Sequence, residues 1–238
     1  MKKIILIFIL FLISGNSYSQ IKQRSLSTNV YTGIGYKFVY LTDPDASDAY
    51  PFFQLSNGDF LKEIDGFLGV IFNESYCVEF APSYLFTNKN GNEGFYYGEG
   101  SSRYFYVPSQ TRLSAIPLNL RFKFYPFAKN YSSSLNKVYL GIGGGMMYVS
   151  EEITSKVYTD ETQLFSANPS ARFADNDFWT SDFEFLIGTG SFSKIGFGFE
   201  LSYRLVPLNN DSDNKPLISY IASNFNSVNF AANIIFSF

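Results

Sequence analysis

The sequence predicts an all-β protein, an eight-stranded antiparallel transmembrane β-barrel. Three observations carry that prediction. Eight segments alternate apolar and polar residues with period two. One face of every segment is apolar, and charged residues reach it only at two segment ends, Lys62 and Arg112. The links between segments alternate long and short. Composition agrees: aromatics make up 19% of the 238 residues, with 27 Phe and 18 Tyr, which favours strands. Charged residues reach only 16%, against about 25% in an ordinary soluble domain.

The chain begins with a segment that does not belong to the barrel. Lys2 and Lys3 precede ten unbroken apolar residues, Ile4 to Ile13. Ser17 and Ser19 are the small residues expected before a cut at Gln20. Residues 1–19 therefore read as a cleaved secretory signal peptide, and residues 20–238 as one barrel domain. Ten apolar residues are too few for a helix to cross a bilayer, and no other run reaches 18. No cysteine follows the apolar run, which argues against a lipid anchor. Without Lys2 and Lys3 the chain holds 16 basic and 21 acidic residues, net −5. That balance offers nothing to a nucleic acid. The single cysteine, Cys77, excludes an internal disulfide.

The eight segments lie at 29–40, 62–72, 75–87, 112–125, 137–149, 182–190, 195–206 and 227–238. Each is near or above the roughly 9–11 residues a tilted strand needs to cross a bilayer. Their apolar face runs from Val30, Ile34 and Phe38 through Leu68, Phe80, Leu120, Ile142 and Phe185 to Phe197 and Leu201. The opposite face holds Lys37, Asp65, Glu79, Arg121, Lys123, Glu184, Glu200 and Arg204, with many Gly and Asn. Eight strands enclose just enough room for side chains. A Phe- and Leu-rich face cannot fit there, whereas a Gly-rich face with four basic and four acidic residues can. The apolar face therefore points to lipid, where a Lys or Arg at mid-membrane costs about 2–4 kcal/mol. The charges pair inside and close the lumen. Pro82 and Pro117 fall within strands, so local bulges there, or strand ends that lie elsewhere, are expected. Phe67 and Ile71 fall on the inner face, against the pattern of segment 62–72.

The long links are 41–61, 88–111, 150–181 and 207–226; the short ones are 73–75, 126–136 and 191–194. Four long loops on one side, with the short turns and both chain ends on the other, is a barrel layout. At this point the sequence resembles the small eight-stranded outer-membrane β-barrel proteins of Gram-negative bacteria, of the OmpA/OmpX-like kind. The resemblance rests on the export signal, the eight alternating segments, the loop asymmetry and the final residues NFAANIIFSF. It implies four long extracellular loops, short periplasmic turns and a place in the bacterial outer membrane. It further implies that Phe230, Ile234, Phe236 and Phe238 are read by the barrel-assembly machinery.

Catalytic motifs are not found. With no histidine, the commonest general base and the Ser-His arrangement are both excluded. No enzyme activity, cofactor or metal is expected. Glu184 and Glu200 lie on neighbouring segments and could share a proton, but a neutralising ion-pair network accounts for them as well. Asp43 to Asp48 (DPDASD) and Asn209 to Asn214 (NNDSDN) offer oxygens that suit calcium, yet neither matches an EF-hand loop, and both read as solvated turns. The run GIGGGMM, Gly141 to Met147, lacks the Lys-Ser/Thr of a phosphate loop and makes room inside the barrel. Cys77 reads as buried filler.

The long loops are aromatic and polar together: YPFF at 50–53, GFYYGEG at 94–100 and SRYFY at 102–106. Such surfaces suit an extracellular protein or glycan, or lipopolysaccharide. The same aromatics equally suit the girdle at the membrane interface. The expected function is a structural or surface-interaction barrel. A narrow channel for small or apolar solutes, and an accessory barrel of a protein-secretion apparatus, stand as alternatives.

Overall fold

The computed structural model describes residues 29–51, 61–91, 94–99, 102–130, 133–159, 169–191, 194–208 and 216–238. The expected signal peptide and the NNDSDN stretch lie outside the described residues. Among the described residues nine strands form: β1 (Asn29–Leu41), β2 (Lys62–Phe72), β3 (Tyr76–Asn90), β4 (Phe95–Glu99), β5 (Ser102–Phe124), β6 (Val138–Tyr158), β7 (Ser170–Gly190), β8 (Ile195–Leu205) and β9 (Ser227–Ser237). Two short helices, α1 (Pro44–Ala49) and α2 (Ile218–Ile221), sit in the first and last long links.

Eight of the strands close into an antiparallel ring, in the order β1-β2-β3-β5-β6-β7-β8-β9 and back to β1. The ninth, β4, is a short hairpin arm paired only with β5. The seam between β1 and β9 runs from Tyr31↔Ser237 to Leu41↔Ser227, and the Phe238 amide donates to the Val30 carbonyl at 3.1 Å. A closed ring leaves no edge in the wall, the condition for strands to cross lipid.

The outer surface is apolar around the whole ring. Leu120, Ile142, Phe185 and Phe197 are each more than half exposed, a state that a water-facing surface does not sustain over a continuous band. The band is therefore the lipid-facing surface, and strands make the crossing. Among the described residues no helix is long and apolar enough to do so. On β5 the band spans Phe124 to Ile116, about 26 Å along the strand at about 3.3 Å per residue. Tyr148 and Trp179 mark its upper rim, with ring centroids 5.3 Å apart. Beyond it the outward positions turn polar, as in the Arg112–Glu152 ion pair at 3.1 Å.

Three expectations need correction. The links 88–111 and 150–181 are largely strand, because β5, β6 and β7 continue far past the rim. Their Tyr- and Phe-rich sequence favours β structure, and the β5–β6 and β6–β7 ladders continue with them. On β6 ten residues lie beyond Tyr148, about 33 Å of projecting sheet. No register shift occurs at Pro82 or Pro117. The ladder only lapses beside them, between Asp65↔Ser83 and Leu68↔Phe80 on one side of β3 and between Pro82↔Leu118 and Leu85↔Ala115 on the other. A proline lacks one N–H and so costs one ladder bond without forcing an inserted residue. The register shift that does occur lies between Pro108 and Gln110, in the projecting sheet.

Candidate functional site

The barrel interior is stacked in three layers. Nearest the short turns lies an apolar cluster of Tyr31, Phe67, Ile71, Cys77, Ala81, Tyr125, Tyr139, Leu186 and Ile235. Phe67 and Ile71 thus belong to a plug, which explains why segment 62–72 has apolar residues on both faces. Cys77 is filler: its Sγ lies 2.6 Å from the Tyr31 hydroxyl, which also donates to Glu79 at 2.8 Å.

Above the plug comes a layer of ions. Lys37, Asp65, Glu79, Arg121, Lys123, Glu184, Glu200 and Arg204 all point inward and are buried. The layer also contains Glu63 and Asp182, which the reading of alternation left out because each sits at the margin of its segment. Arg204 takes Glu63 in a fork, at 2.8 and 2.9 Å, and reaches Asp182 at 3.3 Å. Lys37 contacts Glu63 at 3.0 Å and Asp65 at 3.4 Å. Arg121 binds Glu184, Glu79 at 3.3 Å and Asp65 at 3.6 Å. Lys123 reaches Glu79 at 3.0 Å and Glu200 at 3.3 Å. Each base is shared among several acids, so the expected balance of four against four becomes four against six.

Glu184 and Glu200 do not form a carboxylate pair. Glu184 stands opposite Arg204 and Glu200 opposite Gly188, and Arg121 contacts both acids. The glycines of β6 make the crossing possible. A Cβ on Gly143 would stand 2.6 Å from Glu184 Cγ and 3.1 Å from Arg121 Cγ, so only glycine lets these side chains meet across the strand.

The third layer is apolar again and lies under the long loops. Val39, Leu41, Leu85, Leu113, Met147 and Val149 of the wall meet Ala46, Ala49 and Tyr50 of the first loop and Leu217, Ile218 and Phe225 of the last. These loops form a lid with two carboxylate fastenings. Asp43 caps α1 through the Ala46 amide at 3.2 Å and accepts from Ser223 Oγ at 2.6 Å and its amide at 3.0 Å. So DPDASD folds as helix α1 with Asp43 as its cap, rather than as the solvated turn its sequence suggests. Glu151, three residues above the Tyr148 rim, accepts from Tyr50 Oη at 2.6 Å and from the Ile218 and Ser219 amides at 2.8 and 3.1 Å. Burial pushes Asp43 up, but the hydrogen bonds from Ser223 and Ala46 outweigh it and hold the carboxyl below its usual range. For Glu151 burial prevails over its donors and raises it. A cavity of about 20 Å³, room for one water, lies between the lid and Arg204. Sequence alone could not assign Glu151, because segment 150–181 reads as loop.

Outside, the projecting sheet carries Tyr96 with Arg103 stacked 4.8 Å from its ring, and Phe173, 60% exposed. Pairing of β7 with β8 begins only at Phe183, so above that point the sheet stands apart from the ring. Phe95–Glu99 of GFYYGEG and the SRYFY stretch are the two arms of its β4–β5 hairpin, and Tyr50 of YPFF is buried in the lid. Phe230, Ile234 and Phe236 share the outward face of β9, and Phe238, one residue past it, is 81% exposed.

Among solved structures, Ail, the attachment invasion locus protein of Yersinia pestis, is similar over 89% of this chain and 97% of its own, at 10% identity and a TM-score of 0.40. Neisserial surface protein A gives the same values. The N-terminal β-barrel domain of Pseudomonas aeruginosa OprF is matched over 100% of its length, at 9% identity and a TM-score of 0.35. Likeness at this level carries no weight for site or partner; the ring of eight strands stands on its own ladders. No protein-family model and no curated protein matches the chain.

Proposed function

We infer that this chain is an outer-membrane barrel of a Gram-negative bacterium whose lumen is plugged and whose work is done at the cell surface. The observation that carries this reading is the contrast between inside and outside. Two apolar clusters and an ion layer fill the interior, while β5, β6 and β7 raise a sheet about 33 Å past the lipid band. A sheet of this length adds nothing to membrane anchoring. Its exposed Phe173 and Tyr96 and the stacked Arg103 suit a protein or a glycan as partner. Lys62, stacked on Phe86 at 5.0 Å near the upper rim, is placed for a lipopolysaccharide phosphate. Phe230, Ile234, Phe236 and Phe238 remain the proposed signal to the barrel-assembly machinery.

The test has two arms. The mature chain, refolded into a planar bilayer, should give no steady single-channel events. Immobilised in lipid discs, it should retain an extracellular-matrix protein or a glycan, and Phe173→Ala with Arg103→Ala should weaken retention at least tenfold. Steady conductance from protein with an intact heat-dependent gel shift would sink the plugged-barrel reading in favour of a channel.

A further inference from the structure

The two ends of the barrel carry opposite charge. Three short turns join strands at the lower end, at 73–75, 125–137 and 191–194. They hold Lys129, Lys137 and Lys194 against one acid, Glu74. The links between strands at the other end hold nine acids and one base, Lys215. No Asp or Glu occurs between Arg121 and Glu151, or between Glu184 and Glu200, so the two turns with the lysines contain none. Those two turns are neighbours on the ring, because β6 and β7 are paired strands.

The turn 125–137 is longer than a strand reversal needs, and it is firmly built. Ala128 packs against the lower plug. The Asn130 amide donates to the Phe127 carbonyl at 2.9 Å, and the Ser133 amide to the Asn130 carbonyl at 3.1 Å. Ser133 Oγ then caps the 3-10 helix Ser134–Lys137 by accepting from the Leu135 amide at 3.2 Å. This scaffold leaves two large apolar side chains outside, Phe127 at 46% and Leu135 at 51% exposure. Lys129 and Lys194 are exposed and Lys137 is half-buried. Phe127 lies three residues past Phe124, where β5 and its lipid-facing row end. Apolar surface thus continues from the band into the turn, and positive charge begins where the band stops.

We propose that the turns 125–137 and 191–194 bind the headgroup of an anionic phospholipid in the leaflet they adjoin. Phe127 and Leu135 enter the boundary between headgroups and acyl chains, and Lys129, Lys137 and Lys194 donate to the phosphate. Lysine suits this place because its stem lies along apolar surface while its ammonium stays at the headgroup. A negative lipid surface attracts each lysine, and the attraction fades within a Debye length, so only the adjoining leaflet is felt. An acidic protein segment would match the lysines, but it would not account for two exposed apolar side chains continuous with the lipid band. The proposal rests on the reading of the chain as a membrane barrel and is independent of what its projecting sheet binds.

Trp179, the only tryptophan, stands at the upper rim and serves as a control. A second protein carries Trp179→Phe with Phe127→Trp and reports on the lower rim. Both mature chains are refolded into vesicles of phosphatidylcholine mixed with phosphatidylglycerol. Bromine on the acyl chains of one lipid or the other quenches the nearby indole. At position 127 phosphatidylglycerol should be preferred about fivefold, the usual effect of one lysine near an anionic surface. At Trp179 the two lipids should quench equally. Lys129→Gln, Lys137→Gln and Lys194→Gln together should remove the preference. So should about 1 M salt, in which the Debye length falls to about 3 Å. Equal quenching by both lipids at position 127 would overturn the proposal, and so would a preference that survives the salt. If the triple variant loses its heat-dependent gel shift, the salt titration of the reporter protein decides. Absence of quenching by either lipid at both positions would sink the membrane reading itself, and the proposal with it.

Discussion

Glu63 and Glu151 are both carboxylates with no solvent exposure, yet they are held in opposite ways. Glu63, in the ion layer, is gripped by Arg204 and Lys37. Glu151, under the lid, is met only by neutral donors: one tyrosine hydroxyl and two amides. The first arrangement ties rigid strands β1, β2 and β8 together through charge. The second fastens two loops to strand β6 without any cation. Breaking an ion pair leaves a buried charge behind, whereas loosening a neutral cage lets loop and water in. The wall should therefore fail as a unit, and the lid should open alone.

Arg204→Met tests the wall most severely. It strips Asp182 of its cation and Glu63 of its fork, and should cost about 3–5 kcal/mol in urea unfolding from vesicles, followed by the fluorescence of Trp179, the only tryptophan. Adding Glu63→Gln should recover part of that loss. Phe67→Ala opens a hole in the lower plug and should cost about 3 kcal/mol by the same measurement. Glu151→Gln keeps the size and loses the charge. It should cost about 1 kcal/mol, seen as faster proteolysis of the loops while the heat-dependent gel shift is unchanged. Arg112→Ala removes an exposed pair, 53% and 42% accessible, and should change stability by less than about 0.5 kcal/mol.

The two lid carboxylates also predict opposite pH trends. Glu151 is raised in the folded state, so its contribution is full below the usual carboxylate value, about 4, and fades as pH rises through the raised value. Asp43 is lowered, so its contribution is full above that value and fades as pH falls through the lowered one. Protease protection of the lid should peak in mildly acidic buffer. Glu151→Gln should flatten the alkaline side of that profile, and Asp43→Asn the acid side. Equal profiles in all three proteins would remove the lid carboxylates from the account.

The wall was readable because lipid imposes a strict rule. Within the wall every second residue had to be uncharged and was mostly apolar, and that period locates eight strands and their outward face. The projecting sheet was hidden because above the rim the rule lapses. Outward positions on β6 there read Ser150, Glu152 and Thr154, and Pro108 with its register shift breaks the alternation of β5. Eight ionic residues followed from the period alone. Glu63 and Asp182 were lost at segment margins, and Glu151 lay past the end of a segment read as loop. Which acid meets which base was not legible at all, since those contacts cross the lumen between strands far apart in sequence, as Arg204 and Glu63 are.

The seam between β1 and β9 fixes an order of events. Thr32 lies opposite Phe236, so the first strand waits for the last before the ring can shut. Until then the early strands have one exposed flank and no finished hydrogen-bond circuit. A partly delivered chain therefore has no stable half to rest in. Closure of the ring therefore rests on the pairing of β9 with β1.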